Sequence, residues 1–231
     1  MIRKLGFALL VAVGVLASVA APVRAFPLIL DYTGFSWLTP GGPAAGTFAA
    51  IGVLDGFSDP VANPSEVYTF CLSGLNLAQV VSLTPSVKQY IYSGGTFGIY
   101  RSTGPSNRGY TYGTDPASGL VQGTFTDGVP WLFGGVSAFS YVYNTDLLLG
   151  TLNAHGVFSS GEFLASLAGR DWSTFAGMTA RPGSGIPAGY SCRLDGQQTS
   201  TINPVPEPAS VALLGLGLAG GALLLGMRRG A

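Results

Sequence analysis

Apolar and polar positions alternate in short runs along most of the chain. The clearest run sets Leu148, Leu152, Ala154 and Phe158 on one parity against Thr151, Asn153 and His155 on the other. A period of two describes a strand with one buried and one solvated face. Val67-Tyr68-Thr69-Phe70-Cys71-Leu72 and the stretch from Val136 to Tyr143 add runs rich in β-formers. Turn dipeptides separate such runs: Gly41-Gly42, Asp55-Gly56, Gly94-Gly95, Asp127-Gly128 and Asp195-Gly196. A short helical turn fits around Ser160 to Ala168, and no solenoid or propeller repeat is visible. The pattern predicts a mainly β fold, a single antiparallel β-sandwich-like domain over residues 26–196. Loops are expected at 38–46, 102–118 and 181–189. Residues 197–204 are polar and end in proline, which predicts a tether.

Both ends break this pattern. Arg3 and Lys4 precede an uncharged, Leu-, Val- and Ala-rich stretch from Leu5 to Ala21, and Val23-Arg24-Ala25 then places small residues at −3 and −1. This is the layout of a secretory signal peptide, residues 1–25, with cleavage expected after Ala25 and Ala20 as the second choice. No twin-Arg pair is present, so export by the Sec route is expected. Ala209 to Met227 is a second uncharged stretch, spanning roughly 28 Å as a helix, and predicts a transmembrane helix over 209–227. Arg228 and Arg229 follow it as stop-transfer charges on the cytoplasmic side. Val205-Pro206-Glu207-Pro208 stands just before the span, where two prolines hold the backbone extended.

This order, Val205-Pro206-Glu207-Pro208, an apolar span and then a short Arg cluster, resembles the PEP-CTERM sorting signal of Gram-negative bacteria. The resemblance covers only the C-terminal signal, residues 205–229, and says nothing of the domain before it. It implies recognition by an exosortase, a membrane-embedded Cys transpeptidase, with cleavage near Pro206-Glu207-Pro208. It also implies an association with exopolysaccharide-producing, biofilm-forming cells. Val205, Pro206, Glu207 and Pro208 are then the sorting motif, a substrate for another enzyme.

Composition narrows the rest. The 231 residues include 35 Gly and 15 Pro, and only 10% are charged, against roughly 25% in ordinary soluble domains. With 47% hydrophobic residues the chain can build a core, so general disorder is not expected. Between the two end segments lie six basic and ten acidic side chains, a net charge of −4. No basic surplus exists to neutralise phosphates, so no nucleic-acid partner is expected. One His and two Cys exclude a His-rich or Cys-rich metal site.

Few residues offer chemistry. Cys71 and Cys192 are the only cysteines, and an even count in an exported protein predicts a disulfide. Such a bridge would be worth up to roughly 4 to 5 kcal/mol in the chain-entropy model. His155 is the single histidine, on the polar parity of its strand, with no Gly-x-Ser-x-Gly elbow in the chain. The acidic residues are scattered, with no EF-hand loop. Seven tyrosines (Tyr90, Tyr92, Tyr100, Tyr110, Tyr112, Tyr141 and Tyr143) read first as packing material and second as sugar-stacking platforms. Trp37, Trp131 and Trp172 are expected to anchor the core.

The expectation is therefore an exported surface or extracellular-matrix protein, not an enzyme. It has no catalytic residue, cofactor or metal of its own. Its partners are the exosortase, the inner membrane through the C-terminal helix, and exopolysaccharide. Before processing, the body stands in the periplasm; afterwards it reaches the cell surface or matrix. The alternatives are a carbohydrate-binding module and an exported hydrolase without a recognisable motif.

Overall fold

The computed structural model describes residues 26–38, 46–58, 66–103 and 124–202. They form nine strands: β1 Phe26–Leu38, β2 Thr47–Phe57, β3 Glu66–Ser82, β4 Val87–Ser93, β5 Thr96–Thr103, β6 Val129–Asn144, β7 Leu149–Ser160, β8 Asp171–Thr179 and β9 Cys192–Ile202. A 3-10 turn at Leu164–Ser166 occupies the expected helical stretch.

β4 and β5 are two halves of one strand. β3 pairs β4 through Asn76–Ser82 and β5 through Glu66–Ser73, and β6 likewise pairs both. The join is Gly94-Gly95, with φ of 71° and 91°, opposite Gly74 at φ 73°. These left-handed angles suit glycine, and a Cβ on Gly95 would lie 2.9 Å from the Leu75 side chain.

The eight strand positions follow chain order as a meander, and β9 returns to pair with β1. Every successive pairing, from β1–β2 to β8–β9, is antiparallel. Seven reversals leave β9 opposite in direction to β1, so the sheet closes as an eight-position up-and-down barrel. The expected sandwich is corrected to a barrel. One-sided alternation reads the same in both architectures; closure depends on whether the last strand finds the first, which no local pattern shows. Register shifts in β1, β2, β3, β5 and β6 bend the strands toward closure.

Alternate residues fill the interior with aromatic rings in three levels. Phe48, Tyr90, Tyr92, Phe139 and Tyr141 pack at one end, with Phe48 and Phe139 centroids 4.8 Å apart. Tyr32, Phe70, Phe97, Phe158 and Trp172 fill the middle. Phe57, Tyr68, Trp131 and Phe163 close the other end. An eight-stranded barrel is just wide enough for side chains to fill it, and these rings do so.

β9 extends the barrel into the segment expected to be a tether. Gln197–Ile202 belongs to the strand, and the compact unit runs from Pro27 to Ile202. The polar composition misled because two of these polar residues face inward. Gln198 and Ser200 are buried, with the Gln198 amide donating to Ser200 Oγ at 3.1 Å. The remainder of the expected tether, 203–204, lies outside the described residues. So do the signal peptide at 1–25, the transmembrane stretch at 209–227, Val205, Pro206, Glu207, Pro208, Arg228 and Arg229. Among the described residues, no helix is long and apolar enough to cross a membrane.

Candidate functional site

The two cysteines lie on opposite faces of the barrel wall and are both free thiols. This corrects the expected disulfide. Phe70 and Leu72 point into the barrel, so Cys71 between them points outward, into a second apolar cluster with Ile51, Val53, Phe125 and Tyr190. Cys192 points inward with Leu194 and lies in the main core. Burial pushes the Cys71 thiol up to about 11, and it raises the Cys192 thiol too, against hydrogen bonds to Tyr141 and Ser36 that lower it. Neither thiol is an activated nucleophile at neutral pH.

The outer cluster covers one side of the barrel. Phe35 and Trp37 of β1 and Tyr100 of β5 pack against it, and Tyr190 meets Trp37 edge-on at 5.9 Å. Trp37 thus anchors this outer layer, whereas Trp131 and Trp172 anchor the interior. Of the seven tyrosines, Tyr90, Tyr92 and Tyr141 are buried in the interior and Tyr143 packs against it. Tyr110 and Tyr112 lie outside the described residues. Burial pushes the Tyr92 phenol up to about 12 and raises the Tyr141 phenol further. The described tyrosines therefore serve packing.

Two carboxylates do come together at the end of the barrel that holds Pro27 and Ile202. Arg101 of β5 donates to Glu66 at 3.1 Å and to Glu162 at 2.6 Å. Tyr68 donates to the second Glu66 oxygen at 2.7 Å. Both carboxylates are thus engaged by one guanidinium, which ties β3, β5 and the β7–β8 connection. His155 is exposed on the outer side of β7, as its parity predicted. Among the described residues no group of three or more His, Cys, Asp or Glu could hold a metal ion.

The opposite wall, β7–β8–β9, is open and polar. Outward positions carry Thr151, Asn153 and His155 on β7, and Ser173 and Gly177 on β8. On β9 they carry Arg193, Asp195, Gln197 and Thr199. Three large apolar residues interrupt this face: Leu149 and Val157 towards the two ends of β7, and Phe175 in the middle of β8, 55% exposed. The cross-strand neighbours of Phe175 are Asn153 and Gln197. Gln197 is itself held by donation to Asp31 Oδ1 at 2.8 Å. A shallow concavity lies on each side of Phe175 along the strands. One is bordered by His155, Ser173 and Thr199, the other by Thr151, Gly177, Arg193 and Asp195. Phe175 was not singled out in the sequence. Its signal was present: it shares the parity of Ser173 and Gly177, against the inward Trp172, Ala176 and Met178.

Residues 204–229 match the family model for the PEP-CTERM protein-sorting motif. The chain is thus a β-barrel protein that carries this sorting signal, and the match includes no part of the barrel. No curated protein and no solved structure is significantly similar to the chain.

Proposed function

We propose that this protein is an exported, exosortase-processed component of the cell surface or extracellular matrix, and that it acts by structure and adhesion, without catalysis. The sorting-motif match at 204–229 carries the reading. In this account the apolar stretch 209–227 holds the protein in the inner membrane, Arg228 and Arg229 stop its transfer, and the exosortase cuts near Pro206-Glu207-Pro208.

The barrel supports this role in two ways. Its interior is filled by aromatic rings, so its contacts with other molecules belong to the outer wall. Pro27 and Ile202 lie at the same end, on neighbouring strands. Both connections of the barrel to the rest of the chain leave from that end. The paired carboxylates Glu66 and Glu162 share Arg101, an arrangement suited to fastening strands rather than to acid–base work.

The test is replacement of the motif, Pro206→Ala, Glu207→Ala and Pro208→Ala together, in the native host. The expected outcome is loss of the released form and accumulation of full-length protein in the membrane fraction. Unchanged release would contradict the assignment.

A further inference from the structure

We infer that the outer wall of β7–β8–β9 is a binding face for an extended, neutral polysaccharide strand, centred on Phe175. The proposal deepens the surface-protein reading and rests on it for the compartment in which such a polymer is met.

Phe175 exposes more than half of its aromatic side chain on the outer wall formed by β7, β8 and β9. An aromatic face can stack on the C–H side of a sugar ring, with one end of the contact apolar and its edges wet. Hydroxyl-rich ligands also require hydrogen-bond donors and acceptors beside that ring. Asn153 and Gln197 flank Phe175 directly across the strands. His155, Ser173 and Thr199 form the next row on one side, and Thr151, Gly177 and Asp195 on the other.

One concavity lies towards Ser173 and the other towards Gly177, and the latter reaches across the strands to Val87, Val142 and Leu149. From Ser173 to Thr179 the wall runs roughly 20 Å at the usual strand rise, long enough for several consecutive sugar rings. Gly177 keeps this path level: a Cβ there would meet nothing closer than 3.8 Å. The opposite wall has no such path, because the apolar cluster around Cys71 covers it.

Charge selects the class of polymer. The face carries Arg193 beside Asp195 on β9, with Asp171 on β8, and the exported body is net negative. A polyanion would be repelled overall. Amide and hydroxyl groups predominate, which suits a neutral glycan.

The experiment uses the full chain, solubilised in mild detergent, with Phe175→Ala and Gly177→Gln variants. Both positions are on the open wall, so thermal melting should match the parent protein. The probes are cellulose, insoluble β-1,3-glucan, mannan, alginate and the exopolysaccharide harvested from the native host. The expected result is retention on at least one neutral polymer, insensitive to salt. Phe175→Ala should weaken retention at least tenfold, and Gly177→Gln should weaken it too by obstructing the path. The proposal is overturned if no polymer retains the parent chain, if alginate alone does so in a salt-sensitive manner, or if both variants bind like the parent. It is equally overturned if Phe175→Ala abolishes self-association instead, which would make the wall a contact between copies. The C terminus of the protein recovered from its native host, measured separately, distinguishes failure of this face from failure of the sorting reading.

Discussion

Burial holds the phenols and thiols of this barrel in their neutral forms. Tyr32 and Tyr92 are pushed from 10.0 up to about 12, chiefly by desolvation, and Cys71 from 9.0 up to about 11. Unfolding releases these groups to their ordinary values, so above them the unfolded chain binds fewer protons than the native one. Stability from this source is complete below pH 9 and is lost as pH rises through about 11 to 12. Tyr32 and Cys71 each contribute on the order of 2 kcal/mol. The expected outcome is a urea midpoint that is flat from pH 6 to 9 and falls steeply above 10, with tyrosinate absorbance appearing together with unfolding. Tyrosine ionisation well before unfolding would place these rings outside the core.

Residue-scale legibility followed parity. His155 reads as exposed because its strand alternates cleanly. Cys71 does not, because Phe70, Cys71 and Leu72 are all apolar: β3 is covered on both faces at this point. Count and compartment favoured a disulfide, but parity puts Cys71 outside and Cys192 inside.

Elements were legible where turn residues bounded them. Asp127-Gly128 stands just before β6 and Gly94-Gly95 between β4 and β5, although the latter turned out to be a join within one strand position rather than a hairpin. The polar end of β9 reads as a linker because Gln198 and Ser200 are buried in the barrel with the Gln198 amide donating to Ser200 Oγ, a pairing that composition cannot show. This strand carries a direct prediction. A chain ending at Ile202 should melt cooperatively. One ending at Gly196 loses the part of β9 that pairs with Ser173, Thr174 and Phe175 of β8, and also the Gln197–Asp31 bond across to β1. It should show no cooperative transition by circular dichroism. Equal melting of the two chains would return 197–202 to the tether.

At the scale of the whole molecule, fold and destination were legible to different degrees. Strand content was visible in the alternation, whereas closure was not, because it rests on β9 meeting β1 across the full length of the domain. The sorting signal was visible because its parts are contiguous: two prolines around Glu207, an uncharged stretch and two arginines. The proposed binding wall is hidden in the sequence because Asn153, Phe175 and Gln197 are brought together only by strand register.

The proposed function turns on the barrel being cut from its C-terminal signal. The most direct measurement is the mass of the C-terminal peptide of the protein from its native host, with and without the exosortase gene. Processing should give a C terminus near residues 205–208 in the parent strain and a peptide extending to Ala231 in the deletion strain. A peptide extending to Ala231 in both strains would contradict processing and leave the barrel a permanently anchored domain.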